Sequence, residues 1–84
     1  MKTYNMTQPG QQRKFSIDSK NLDTLRSKLI REYLWPHSGA INVYSSTGRY
    51  LGNITMGYND ILWHTPKGQF YTVHRDGKLG WKYQ

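Results

Sequence analysis

The sequence predicts an α+β fold, with one amphipathic helix over about residues 20–34 packed on an antiparallel β meander of four to six short strands. Three observations carry that expectation. Leu22, Leu25, Leu29, Ile30, Tyr33 and Leu34 recur at spacings of three and four, which lines up apolar side chains on one helical face. From Ala40 onward, short alternating stretches are punctuated by Ser-Thr-Gly, Gly-Tyr-Asn, Pro-Lys-Gly and Asp-Gly, the turn chemistry of hairpins. Finally, 84 residues make one domain with a thin core, because a chain this short buries only about 60% of its unfolded surface.

Residues 1–12 hold Pro9, Gly10 and three Gln among few apolar side chains, and read as a flexible N-terminal arm. Arg13 to Asp18 alternates, with Phe15 and Ile17 on one side, as a short half-buried strand does. The order of this strand relative to the others is not set by the sequence. In the helix, Ser19 or Asn21 can cap the first free amides, Asp23 sits where the helix dipole favours negative charge, and Pro36 and Gly39 stop the helix. Arg26 falls within the apolar face and is expected to lay its stem along the core edge with its head in water.

Five strands are expected after the helix: 40–45, 49–56, 60–65, 69–75 and 79–83. The Thr65-Pro66-Lys67-Gly68 turn sets Thr65 opposite Gln69, hence Trp63 opposite Tyr71 and Ile61 opposite Val73. An equivalent loop at Arg75–Gly77 places Val73 opposite Leu79 and Tyr71 opposite Trp81. It gathers Ile61, Trp63, Tyr71, Val73, Leu79 and Trp81 under the helix. A two-residue Asp76-Gly77 turn would instead invert the last strand. The resemblance between VYSSTGRYL at 43–51 and VHRDGKL at 73–79 reflects shared turn chemistry and not a repeat architecture.

Composition excludes several functions. There is no Cys, so no disulfide framework, thiolate zinc site or nucleophilic thiol. Asp18, Asp23, Glu32, Asp60 and Asp76 are too scattered for a paired-acid hydrolase or an oxygen-liganded metal, and no glycine heads a helix as a phosphate cradle requires. No apolar run approaches a membrane span, and the first residues lack a signal-peptide core. The protein is therefore expected to be soluble, cytoplasmic and free of cofactor, metal and small-molecule substrate.

The net charge of +7 is spread as +3 over residues 1–20, +1 over 21–34 and +3 over 35–84, so no tract is a charge block. Spread charge can serve solubility alone. It acquires a second meaning on the outer side of the expected sheet, where Tyr44, His64, Phe70 and His74 stand among Lys14, Lys20, Arg49, Lys67, Arg75, Lys78 and Lys82. Exposed rings can stack bases while Lys and Arg neutralise phosphates, and a sheet can also enter a duplex groove. The expected function is thus a small non-catalytic accessory protein that binds nucleic acid through this face.

An alternative is a regulatory module that binds an acidic protein through the same face or an edge strand. The least favoured alternative is a small ribonuclease-type toxin using one His with Tyr71, Arg75 or Lys78. His64 and His74 stand about 13 Å apart in the expected register, too far to share a proton or a metal, and His37 reads as a turn residue at the helix end. No catalytic residue is assigned.

Overall fold

The computed structural model describes residues 1–83. It contains one helix and a seven-stranded antiparallel sheet, an α+β arrangement whose later strands run as a meander. The strands are β1 (Lys2–Gln8), β2 (Arg13–Ser19), β3 (Ile41–Ser45), β4 (Tyr50–Met56), β5 (Ile61–His64), β6 (Phe70–Val73) and β7 (Leu79–Tyr83). The helix α1 spans Leu22–Glu32, and Pro9–Gln11 forms a single 3-10 turn. Spatial order is β2-β1-β3-β4-β5-β6-β7, which leaves β2 and β7 as the edges.

The extra strand is β1, formed by residues expected to be an arm. Lys2–Gln8 pairs with β2 on one side and β3 on the other, burying Tyr4, Met6 and Gln8. Its alternation was partly concealed because one of the three buried positions is a Gln. That amide is satisfied within the fold: Arg13 Nε donates to Gln8 Oε1 at 2.7 Å, and Gln8 Nε2 donates to the Ser38 carbonyl at 3.4 Å. Arg13 also donates to the Tyr33 carbonyl at 3.3 Å, while Phe15 stacks on Tyr33 with ring centroids 4.5 Å apart. The far end of the β1–β2 hairpin is thereby clasped to the chain leaving the helix.

The helix begins after Asn21, whose side chain accepts from the Thr24 amide, and it buries Leu25, Arg26, Leu29 and Ile30. Leu25, Leu29 and Ile30 pack with Ile17, Ile41, Val43, Ile54, Ile61, Trp63 and Val73 into one core. Each fully buried aliphatic contributes roughly 1.5–3 kcal/mol relative to exposure. The core side of the sheet is set by the register: Met6 opposes Val43, Ile41 opposes Ile54, Ile54 opposes Trp63, and Trp63 opposes Tyr71.

Arg26 departs from the expected wet-headed arrangement. It is buried, its Nε donates to the Gly77 carbonyl at 2.7 Å, its other end pairs with Asp23, and its guanidinium lies 4.9 Å from the Trp63 ring centre. The head is enclosed because the β6–β7 turn folds over it, and Ser27 Oγ ties the same turn by donating to the Arg75 carbonyl at 3.0 Å. Desolvation pushes the Arg26 pKa down and the Asp23 carboxylate opposes that shift.

Three hairpin loops have one geometry. Gly48, Gly68 and Gly77 take φ of +90°, +89° and +88°, and each donates its amide to the residue three before it, Ser45, Thr65 and His74. This is a type I turn completed by a left-handed glycine. The expected pairings of Trp63 with Tyr71 and Val73 with Leu79 are present. That of Tyr71 with Trp81 is not: Tyr71 pairs with Lys82, because the register shifts between Tyr71 and Val73 and leaves one extra residue in β7. Trp81 is 83% exposed and lies outside the core.

Candidate nucleic-acid interface

The helix covers one side of the sheet and leaves the other open. A directly paired row crosses that outer side through all seven strands: Lys14, Thr7, Asn42, Asn53, His64, Phe70 and Tyr83. The row changes character along its length. Its β2 end is cationic and hydroxyl- and amide-bearing, with Asn42 Nδ2 donating to Thr7 Oγ1 at 3.3 Å. Its β7 end is aromatic, with His64 stacked on Phe70 at a centroid distance of 4.2 Å and an interplanar angle of 17°.

A second aromatic pair stands beside the row. Tyr44 opposes Tyr50 with ring centroids 5.6 Å apart, and Asn53 Nδ2 donates to the Tyr50 hydroxyl at 2.8 Å. Tyr50 belongs here because of a bulge in β4: Val43 opposes Gly52 while Tyr44 opposes Tyr50, so Leu51 is the extra residue. Gly52, with φ of +138°, allows the bend and admits the Trp63 ring on the core side. Phe70 and Tyr83 are 42% and 49% exposed.

Of the sequence-predicted rings, Tyr44, His64 and Phe70 are thus gathered on one surface. His74 lies further along, with its Nε2 against Gly80. Tyr50, Tyr83 and Trp81 were missed. For Tyr50 and Trp81 the obstacle is the same, since a bulge breaks the strict alternation from which their side was inferred.

The cations are distributed more widely. Arg49 and Lys67 flank a depression of roughly 390 Å³ between two of the identical turns, lined also by Tyr50, Leu51, Pro66 and Gln69. Lys14 is in the row itself. Lys82 pairs with Tyr71 and so stands on the helix side of the β7 edge, while Arg75 and Lys78 belong to the turn that folds toward α1. Lys20 is exposed just before the helix. The structure therefore brings Arg49 and Lys67 to the rings and leaves Lys20, Arg75 and Lys78 at other corners of the molecule.

A second depression, of roughly 420 Å³, lies at the opposite end of the strands and is lined by Pro36, Tyr58, Asp60, Val73, His74 and Arg75, among others. At its rim His37 Nε2 contacts the Tyr58 hydroxyl, with the two rings edge to face. His64 and His74 make no hydrogen bond to one another among the described residues, each having its own neighbour in Phe70 and Gly80. Also among the described residues, no three metal-ligating side chains converge, and no helix is long and apolar enough to cross a membrane. No protein-family model, curated protein or solved structure matches the chain.

Proposed function

We propose that this protein is a small non-catalytic accessory protein that binds nucleic acid through the outer side of its sheet. The observation that carries the reading is the set of rings on the uncovered side, Tyr44 with Tyr50 and His64 with Phe70 and Tyr83, in a chain of net charge +7. Rings that make only cross-strand pairs can be buried by a neighbouring element; these are left half-exposed. Arg49 and Lys67, at the mouth of the depression beside Tyr50, supply the phosphate contacts, with Lys14 at the far end of the row. Such a surface combines the two components of nucleic-acid affinity, charge neutralisation and base contact.

The test is a salt-titrated binding assay with single- and double-stranded DNA and RNA, read by residue-resolved amide shifts. Shifts concentrated at Tyr44, Tyr50, His64 and Phe70, weakening as salt rises, are the expected result. No detectable binding to any nucleic acid at low salt removes the reading.

A further inference from the structure

The bulge in β7 does more than displace a core residue. Leu79 opposes Val73 and Lys82 opposes Tyr71, both on the helix side, so two residues, Gly80 and Trp81, face the single outer-side residue Thr72. The Trp81 amide donates to Thr72 Oγ1 at 2.7 Å, and a Cβ at Gly80 would lie only 3.0 Å from His74 Nε2, so a side chain there would crowd the bulge. The chain thus commits a hydroxyl and a glycine to a register that leaves the Trp81 side chain 83% exposed. Left in plain alternation, Trp81 would have opposed Tyr71 on the helix side of the sheet.

We propose that the bulge presents Trp81 beside Phe70 and Tyr83 as a stacking platform for unpaired bases, so that the ligand is a single-stranded nucleic acid. This rests on the nucleic-acid reading above and narrows it. Two arguments select the single strand. A duplex offers base edges to a protein and keeps base faces stacked, so exposed rings such as Phe70, Trp81 and Tyr83 find base faces to stack on only in an unpaired strand. A seven-stranded sheet is also too broad for a major groove about 12 Å wide, which admits only a helix or a two-stranded ribbon. Charge points the same way: Lys67 is in the turn leading to Phe70. A four-stranded sheet with aromatic positions stacks two or three bases, so rings spread over β3 to β7 suit about three or four.

The experiment titrates labelled single strands of about eight nucleotides, and the matching duplexes, against wild type, W81A, W81F, T72V and T72S. Circular dichroism checks that each variant is folded. Wild type is expected to prefer the single strand by at least ten-fold. W81A should weaken single-strand binding roughly five- to hundred-fold, the range of base–aromatic stacking, while W81F retains most of it. Thr72 is a positioning residue: T72V should weaken binding and T72S, which keeps the hydroxyl, should restore it. Equal affinity for duplex, or W81A binding like wild type, overturns the single-strand platform and leaves the broader function standing. Absence of binding to every nucleic acid overturns both, as does binding of a polyglutamate peptide that nucleic acid cannot displace.

Discussion

Alanine at each of the three loop glycines separates the cost of a left-handed backbone from the cost of undocking the helix. Gly48, Gly68 and Gly77 share one turn geometry, with φ between +88° and +90°. A Cβ at Gly48 or Gly68 meets nothing within 4 Å, whereas at Gly77 it overlaps the Asp23 carbonyl oxygen and comes within 2.8 Å of the Ser27 amide nitrogen. G48A and G68A should therefore lose only the left-handed penalty, about 1–2 kcal/mol. G77A bears the same penalty and also forces the turn off α1. The separation removes the 2.7 Å bond from buried Arg26 to the Gly77 carbonyl, worth roughly 1.5–3 kcal/mol as a bond to a charged group. It also removes the Ser27–Arg75 bond of 3.0 Å, worth roughly 0.5–1.5 kcal/mol. The total is about 3–6 kcal/mol, a large part of the stability of roughly 5–10 kcal/mol expected for a domain of this size.

Urea unfolding provides the measurement, with the midpoint falling and the slope preserved if the transition remains two-state. Thermal midpoints should fall by roughly 4–8 °C for each kcal/mol. A double-mutant cycle sharpens the result: R26M should be costly alone and less costly in a G77A background, because the shared hydrogen bond is already gone while the Asp23 pair and the Trp63 contact remain. Equal losses in all three alanine variants, or additive losses in the R26M and G77A cycle, would refute the idea that this turn anchors the helix.

Removal of residues 1–12 should abolish cooperative unfolding and native circular dichroism, since β1 has a neighbour on each side and buries Tyr4 and Met6; a truncated chain with an unchanged thermal midpoint would contradict this placement. G52A should cost about 2–4 kcal/mol through positive φ and displacement of the Trp63 ring, whose atoms would lie within 2.7 Å of the new Cβ, and near-UV circular dichroism should report the altered tryptophan environment. For the proposed function, three or four phosphate contacts on a single strand predict affinity falling roughly 20- to 50-fold between 50 and 200 mM salt, and R49A or K67A should each flatten that dependence by about 0.7 in log–log slope.

Much of the architecture was legible because it rests on local rules. The spacing of Leu22, Leu25, Leu29 and Ile30 marks the helix, Asn21 caps it, and the Gly-containing loops set the pairing of Trp63 with Tyr71 and Val73 with Leu79. The first strand was concealed by a different kind of fact. Gln8 is polar and fully buried, and what satisfies it is Arg13 five residues on and Ser38 thirty residues on, partners that no local window contains. Arg26 follows the same logic, since an arginine on an apolar face is expected to reach water unless a turn fifty-one residues away supplies a carbonyl.

The candidate interface was partly legible for a reason that also bears on how it works. Tyr44, His64 and Phe70 follow plain alternation, and their side could be inferred from the turns alone. Tyr50 and Trp81 do not, because each lies in or beside a bulge, at Leu51 in β4 and at Gly80–Trp81 in β7. The β4 bulge also serves the core, since Leu51 packs against it and Gly52 admits the Trp63 ring; in β7, regular pairing would have placed Trp81 opposite Tyr71 on the helix side of the sheet, and the bulge turns it outward. Aromatic area is the most valuable material a thin core can hold. Both departures from alternation bring a ring to the open side, and the one in β7 does so while leaving Trp81 outside the core. The same reasoning ranks the positions for mutagenesis: rings delivered by bulges, Trp81 before Tyr50, should carry more of the binding energy than His64, which is already stacked on Phe70 and offers a ligand less free face.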